Sequence, residues 1–385
     1  MLLLLLRSDT GTLAKSYFVS AVPADSINKR AVAEDVIRGI AIINVIFIHT
    51  VWFSGQLFIA NDLIRQIPLA FEVPLFFVIS GLLASTRNIS VWYYCRRLIN
   101  LYVPYLIMIL FLTVIYFTAN NIIISSSTFT NLLSLNIIPE GRNLSKWVAV
   151  VSSLWFLQVF IILQVFSPIL NIIMRYKSVN SLVVLGLLAL ILSSTFRPVY
   201  DNNYWVFGII QVQYVIFYTF FYLLGGLMKT LSFEKIKYIG LFIFVLVINV
   251  AMVSQLVPDF NFQRHKFPPN ALFLVYSLFS VLLLMLARGN EQLLRKYKNN
   301  VLIRFTRTCG KNSYSIYLYQ GFGATIIIPI AEYLKTGNVA LVLCIVFVIN
   351  LAASLSLSNI FHMLNEIALQ QIYQATGRLH SIFKK

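Results

Sequence analysis

Residues 36–53 read VIRGIAIINVIFIHTVWF, an apolar run that is interrupted by Arg38 and His49. A run of about 18 or more apolar residues is long enough to cross a hydrocarbon core as a helix. The whole chain repeats this pattern, since 59% of its 385 residues are hydrophobic, 11% are charged, and the mean hydropathy is +0.82. An ordinary soluble domain carries about 25% charged residues. The composition therefore excludes a soluble globular protein and predicts an all-α, polytopic bundle of membrane helices.

Apolar segments predict ten transmembrane helices. They lie near residues 36–59, 64–86, 98–119, 147–174, 181–195, 204–228, 238–257, 271–287, 313–334 and 338–368. The fifth is short for a core of about 30 Å and needs help from flanking residues or from thinning of the bilayer. Serines and threonines interrupt the stretch 121–138, which we interpret as interfacial; the alternative is an eleventh span.

The basic residues predict the orientation of the bundle. A net charge of +17 would suggest a nucleic-acid partner in a soluble chain, but membrane proteins concentrate lysine and arginine on the cytoplasmic side. With both termini in the cytosol, 23 of the 30 lysines and arginines lie inside. We therefore expect cytosolic termini and no nucleic-acid partner. The predicted domains are a cytosolic tail over 1–34 that is a candidate for disorder, a membrane domain over 35–369, and a cytosolic tail over 370–385.

The cysteines give no sign of a disulfide framework or a metal site. Cys95, Cys309 and Cys344 are odd in number, widely spaced and without a CxxC pair. We expect no bound metal and no permanently bound cofactor.

Ionisable side chains inside a membrane helix are costly and mark candidate functional sites. Arg38 and His49 are eleven residues apart, which on a helix is within about 20° of the same face and roughly 16 Å along the axis. A neutral imidazole near the middle of the membrane can accept a proton from a hydroxyl, because its unperturbed pKa is near neutrality. His49 is thus a candidate general base. The alternative is a histidine that only hydrogen-bonds a neighbouring helix.

The second predicted span carries Glu72 between Pro68 and Pro74. Two prolines six residues apart kink or break a helix, which a membrane tolerates where the backbone faces protein or a water-filled cavity. We expect Glu72 at the catalytic site, where it would orient an imidazole or bind a substrate hydroxyl. The alternative is a solvated carboxylate at the outer interface.

Several segments together resemble one family of enzymes. RGIAIINVIFIHT has the spacing R-x10-H, and it is followed by PLFFVISG at 74–81 and RRLINLYVPYL at 96–106. This order resembles the acyltransferase-three family of integral-membrane O-acyltransferases. SLWFLQVF at 153–160 and GKNSYSIYLYQ at 310–320 are similar to two further motifs of that family.

The resemblance implies transfer of an acyl group, usually acetyl, from cytosolic acyl-CoA to a hydroxyl of a surface polysaccharide or lipid-linked sugar. The implied setting is the bacterial inner membrane. His49 would be the catalytic histidine, with Arg38 as its motif partner. Arg96 and Arg97 would lie near the entrance for acyl-CoA, whose phosphates guanidinium groups are well shaped to bind.

The same motifs suggest substrate-binding roles for Trp155, Ser80 and Tyr317. Small residues also permit close contact between helices. Ser80 and the adjacent Gly81 therefore have a second interpretation, as packing residues.

The chain departs from the family pattern at three places. Gln320 stands where relatives often have histidine, Asn100 replaces a basic residue, and Glu366 is not followed by proline. These departures argue against a role in binding for the ninth and tenth spans. His362 can pair with Glu366 one turn away, which we interpret as a structural contact. His265 is interpreted as a solvated loop residue, and the alternative is contact with a substrate sugar.

A function of another class fits part of the same pattern. Broken helices and polar groups at mid-membrane also suit a transporter or flippase that moves a sugar or lipid-linked glycan without chemistry. Dependence on an acyl donor separates the two hypotheses.

Overall fold

The computed structural model describes residues 32–59, 65, 67–70, 73–84, 91–120, 124–135, 147–193, 206–207, 210–229, 237, 239–244, 246–247, 265–267 and 269–382. Most of the predicted N-terminal tail, together with Glu72, lies outside the described residues. The described part is helical, apart from two strands of two residues each that form an antiparallel hairpin, β1 (Val206–Phe207) and β2 (Ile210–Gln211).

Thirteen helices have their bounds within the described part of the chain. They are α1 (Val32–Phe53), α2 (Pro74–Leu83), α3 (Val91–Asn120), α4 (Ser126–Leu133), α5 (Val148–Ser152), α6 (Trp155–Arg175), α7 (Lys177–Ser193), α8 (Val212–Met228), α9 (Ala271–Gly289), α10 (Glu291–Lys296), α11 (Val301–Lys311), α12 (Ser313–Leu334) and α13 (Val339–Ile382).

Five segments of the described chain are helical, long and apolar enough to cross a membrane. They are Val32–Leu57, Val91–Ala119, Val148–Arg175, Ala271–Gly289 and Val339–Ala375. The shorter apolar helices α2, α7 and α8 coincide with the second, fifth and sixth predicted spans. Much of the predicted span 238–257 lies outside the described residues. The all-helical membrane class is therefore confirmed, while the number of ten spans and the direction of the termini stay predictions.

Helices α2 and α8 cross with their backbones in contact, because glycines stand at the crossing. A Cβ on Gly81 would lie 1.7 Å from the carbonyl oxygen of Tyr222, and one on Gly225 would lie 2.0 Å from that of Val78. No larger side chain fits at such distances, so Gly81 has the packing role that one interpretation of the sequence gave it. The crossing fixes the position of Ser80, the neighbour of Gly81.

Helix α11 packs just as closely against the first turns of α1. A Cβ on Gly39 would lie 1.8 Å from the carbonyl oxygen of Thr306, and a Cβ on Gly310 would lie 1.8 Å from that of Asp35. The residue numbers of the two contacts rise along α1 and fall along α11, so the two helices are antiparallel here. Because Arg38 lies between Asp35 and Gly39, this contact fixes its position.

Two further elements bear on the sequence predictions. Helix α4 has eight residues, about 12 Å, which is too short to cross a core of about 30 Å. This agrees with the interfacial interpretation of 121–138.

Helix α13 has 44 residues, about 66 Å, which exceeds a whole bilayer of about 40–45 Å. It extends to Ile382, through most of the segment predicted as a C-terminal tail.

Candidate active site

The His49 imidazole, near the C-terminal end of α1, is hydrogen-bonded through Nδ1 to Oε1 of Gln320 on α12. The Gln320 side chain is fully buried and the His49 side chain is half-buried. With this orientation of the amide, Nδ1 carries the ring proton and Nε2 keeps a lone pair. The arrangement leaves a neutral imidazole able to accept a proton.

The other end of the Gln320 amide is a hydrogen-bond donor, Nε2. Its Nε2 is buried and has no hydrogen-bond partner among the residues that the structure describes. A buried N–H donor without a partner costs free energy, and in an enzyme such a donor can serve an oxygen that arrives with the substrate. Sequence comparison treated Gln320 as a departure from the family pattern, and the structure instead places it against the predicted catalytic histidine.

A polar contact holds α1 against α13 beside this site. Asn350 Nδ2 donates to Thr50 Oγ1 over 2.9 Å, and Gly323 of α12 lets the Asn350 side chain approach. Thr50, Asn350 and Ser354 are buried. Helix α12 therefore carries the partner of His49, and α13 packs against the adjacent Thr50, although the departures from the family pattern argued against a role for these two helices.

Arg38 lies on the N-terminal half of α1. Its Nη2 lies 2.8 Å from Oδ1 of Asp35, and its Nε donates to the carbonyl oxygen of Glu34 over 3.3 Å. These two contacts fix the guanidinium on the face of α1 that borders a cavity. The rise of the helix separates it from His49 by roughly 16 Å along the axis.

The cavity has a volume of about 250 Å³ and brings together four of the predicted site residues, Arg38, Ser80, Arg97 and Tyr317. Phe156 and Tyr314 also line it. In the described part of the chain, His49 is not among its lining residues. Tyr317, however, precedes Gln320 on α12 by three residues, which is about 4.5 Å of rise. The cavity thus ends roughly one turn from the partner of His49.

Two tyrosines of α12 fix this wall of the cavity. The hydroxyl of Tyr317 donates to the carbonyl oxygen of Ser153, and that of Tyr314 donates to the carbonyl oxygen of Leu101 over 2.5 Å. Each bond joins α12 to a different part of the bundle. Tyr317 is therefore held by its hydroxyl while its ring faces the cavity.

The two neighbouring arginines of α3 have different surroundings. Arg97 lines the cavity, whereas the Arg96 guanidinium lies over the ring of Tyr373, 4.4 Å from its centre. The Tyr373 hydroxyl also donates to Oδ1 of Asn100 over 2.5 Å. Arg96 and Asn100 thus join α3 to the far end of α13, and the structure separates Arg96 from the cavity residues.

Trp155 lies beside the cavity residue Phe156 but is itself buried against other rings. The ammonium of Lys266 lies 5.2 Å from the centre of the Trp155 ring and 5.1 Å from that of Phe267. Lys266 is buried and interacts electrostatically with the His49 ring. The segment QRHKFPPN thus contributes Lys266, which sequence reasoning passed over in favour of His265.

His265 and His362 are not among the residues that line the cavity. His265 is half-buried rather than solvated, and its Nδ1 lies 2.9 Å from Nδ2 of Asn270, which caps α9. His362 Nδ1 lies 3.7 Å from Oε1 of Glu366 on the exposed side of α13, which confirms the predicted pair.

Comparison with known proteins identifies the family of the chain. A family model described as an acyltransferase domain matches residues 33–359, which include α1, the cavity and α12. Searches of curated proteins and of solved structures found no match. Because the family model covers most of the chain, the protein belongs to the family of membrane acyltransferases that this domain defines.

Proposed function

We propose that the protein is an O-acetyltransferase that moves an acetyl group from cytosolic acetyl-CoA to a hydroxyl of a surface polysaccharide or lipid-linked sugar. The hydrogen bond between His49 and Gln320 carries this proposal. It holds an imidazole with a free Nε2 lone pair next to a buried amide donor, which are the two groups that acyl transfer to an alcohol needs.

The cavity supports the donor half of the proposal. Arg38 and Arg97 give its lining a positive charge, and Phe156 and Tyr317 contribute aromatic rings. A guanidinium binds phosphate oxygens with paired hydrogen bonds. A thioester on a long, thin arm would enter from the Arg38 end and extend along α12 toward His49.

The reaction itself would need one proton carrier and one oxyanion donor. His49 Nε2 takes the proton of the acceptor hydroxyl as its oxygen attacks the thioester carbonyl carbon. The carbonyl electrons move onto the carbonyl oxygen, which accepts a hydrogen bond from Gln320 Nε2. The electron pair on that oxygen then re-forms the carbonyl as the C–S bond breaks, and the CoA thiolate takes the proton from the imidazolium. In the alternative route, His49 Nε2 attacks the thioester carbonyl carbon and the CoA thiolate leaves, which gives an acyl-imidazole. The acceptor oxygen then attacks the acyl carbon, the C–N bond breaks back to the imidazole, and the hydroxyl proton goes to the CoA thiolate.

Labelled donor tests this function. Washed membranes that contain the protein are incubated with acetyl-CoA carrying isotope in the acetyl group, and the surface glycan is then hydrolysed and analysed by mass and by proton NMR. We expect label on glycan hydroxyls in membranes with the protein and none in membranes without it. Translocation of glycan with no acetyl label would instead support a transporter or flippase.

A further inference from the structure

Two more cations lie next to the cavity, beyond the residues that line it. The Lys229 ammonium, just after α8, donates to the carbonyl oxygen of Ala84, the residue that ends α2. The preceding α2 residues Ser80 and Leu83 line the cavity. Lys229 is therefore held at Ala84, the residue next to the cavity-lining Leu83. We call this edge of the cavity its rim.

Arg288 reaches the same rim from α9. Its Nε lies 3.9 Å from Oε1 of Glu34 on α1, one turn before the cavity residue Arg38. Arg288 also interacts repulsively with Lys229. The ends of α1, α2, α8 and α9 thus bring Arg38, Lys229 and Arg288 to one end of the cavity.

This cluster holds more positive than negative charge. The carboxylates that the described residues place near Arg38, Arg97, Lys229 and Arg288 are Glu34, Asp35 and Glu291, and Glu291 has its own cation in Arg295. Asp35 is bound to Arg38 and Glu34 lies near Arg288. Burial, and to a lesser degree Arg288, lower the pKa of Lys229. Like charges that are held together and partly desolvated are unfavourable unless an anion joins them.

The size of the cavity says where such an anion would lie. Sites for drug-sized ligands have volumes of about 300–1,000 Å³, and this cavity has about 250 Å³. This volume suits the thin thioester arm of an acyl donor and is small for the whole donor with its nucleotide. The rim with Lys229 and Arg288 is the surface on which that nucleotide would rest.

We propose that Lys229 and Arg288 form a subsite for the phosphate groups at the nucleotide end of the acyl donor. The inference rests on the proposed function, since it assigns the far end of the same donor. A lysine supplies a compact charge and an arginine a planar pair of donors. Together they would anchor the diphosphate and direct the thioester arm past Arg38 into the cavity.

Binding measurements on the purified full-length chain in nanodiscs test this assignment. The probes are CoA, which carries the phosphates, and S-acetyl-pantetheine, which has the thioester arm and no phosphate. The variants are Lys229→Gln and Arg288→Gln, with Lys229→Arg and Arg288→Lys as charge-preserving partners. Lys335→Gln is the matched control, because Lys335 pairs with Glu332 at the end of α12 opposite Ser313.

We expect each glutamine variant to raise the Kd for CoA about tenfold or more, which corresponds to the loss of one charged hydrogen bond. Its Kd for S-acetyl-pantetheine should stay unchanged, and the charge-preserving variants and Lys335→Gln should bind CoA nearly as the parent does. If the parent binds CoA and both glutamine variants bind it equally well, the subsite is wrong. An equal loss of affinity for both probes, or a loss in the charge-preserving variants as large as in the glutamine variants, would also overturn it. Failure of the parent chain to bind CoA would count against the proposed function itself.

Discussion

His49 and Gln320 are 271 positions apart in the sequence and hydrogen-bonded in the structure. The bond joins α1 to α12, and both of these helices also contribute to the cavity lining, through Arg38 and Tyr317. It therefore connects the residue with the clearest chemical role to the place where a donor could enter.

Replacement of Gln320 tests the role of this bond. Gln320→Ala removes the acceptor for Nδ1–H and the buried Nε2 donor together. Loss of one oxyanion donor commonly lowers kcat by about 10²–10³-fold, and we expect a fall of this size with little change in the KM for acetyl-CoA. Steady-state kinetics of purified protein give both constants. Thr325→Ala, five residues further along α12, is the control. An unchanged kcat in Gln320→Ala would remove the amide from the mechanism.

The two arginines at the start of α3 form a natural pair for comparison. Arg97→Gln should raise the KM for acetyl-CoA about tenfold or more, since a charged hydrogen bond is lost. Arg96→Gln should leave that KM nearly unchanged and loosen the contact with Tyr373, which is detectable as faster proteolysis near the end of α13. A larger rise in KM for Arg96→Gln than for Arg97→Gln would contradict the assignment of the cavity.

The crossing of α2 and α8 predicts an effect on stability. Gly81→Ala places a Cβ against the carbonyl oxygen of Tyr222, and overpacking of this kind costs about 1–3 kcal/mol. Thermal unfolding in detergent, followed by circular dichroism, should show a lower Tm. Gly186→Ala is the matched control because a Cβ there meets nothing within 4 Å. Equal Tm values for the two variants would mean that the helices do not cross as described.

The position of Lys229 predicts how donor binding depends on pH. Its pKa lies below the ordinary value of 10.5, and only the protonated ammonium attracts phosphate. The affinity for acetyl-CoA should therefore fall as the pH rises through the lowered pKa, before 10.5 is reached. Lys229→Arg keeps its charge, so its affinity should stay level over the same range. Calorimetric titrations at increasing pH measure this, and an equal decline in both proteins would assign the effect to another group.

Part of the site could be predicted from the sequence because it depends on the periodicity of one helix. Arg38 and His49 lie on α1, and the spacing of eleven residues places them on nearly the same face. Gly81 was a packing candidate because only a small residue permits such a close crossing. These inferences need no knowledge of which helix is the neighbour.

The rest of the site depends on contacts between distant segments. Successive residues of a helix point about 100° apart, so the sequence cannot say which of Arg96 and Arg97 faces the cavity. The sequence marks Gln320 only as a departure from the family pattern, since its contact with His49 comes from the approach of α12 to α1. Lys229 and Arg288 contributed only to the positive excess of the inner loops, and their meeting at the cavity rim follows from the packing of four helix ends.

The transfer of labelled acetyl groups by the His49→Ala variant tests the central claim most directly. Membranes are prepared with equal amounts of the parent chain, His49→Ala and the control His362→Ala, whose ring lies on the exposed side of α13. We expect the parent and His362→Ala to label glycan and His49→Ala to give no label above membranes without the protein. Label at the parent level in His49→Ala would show that the imidazole is not required and would contradict the account.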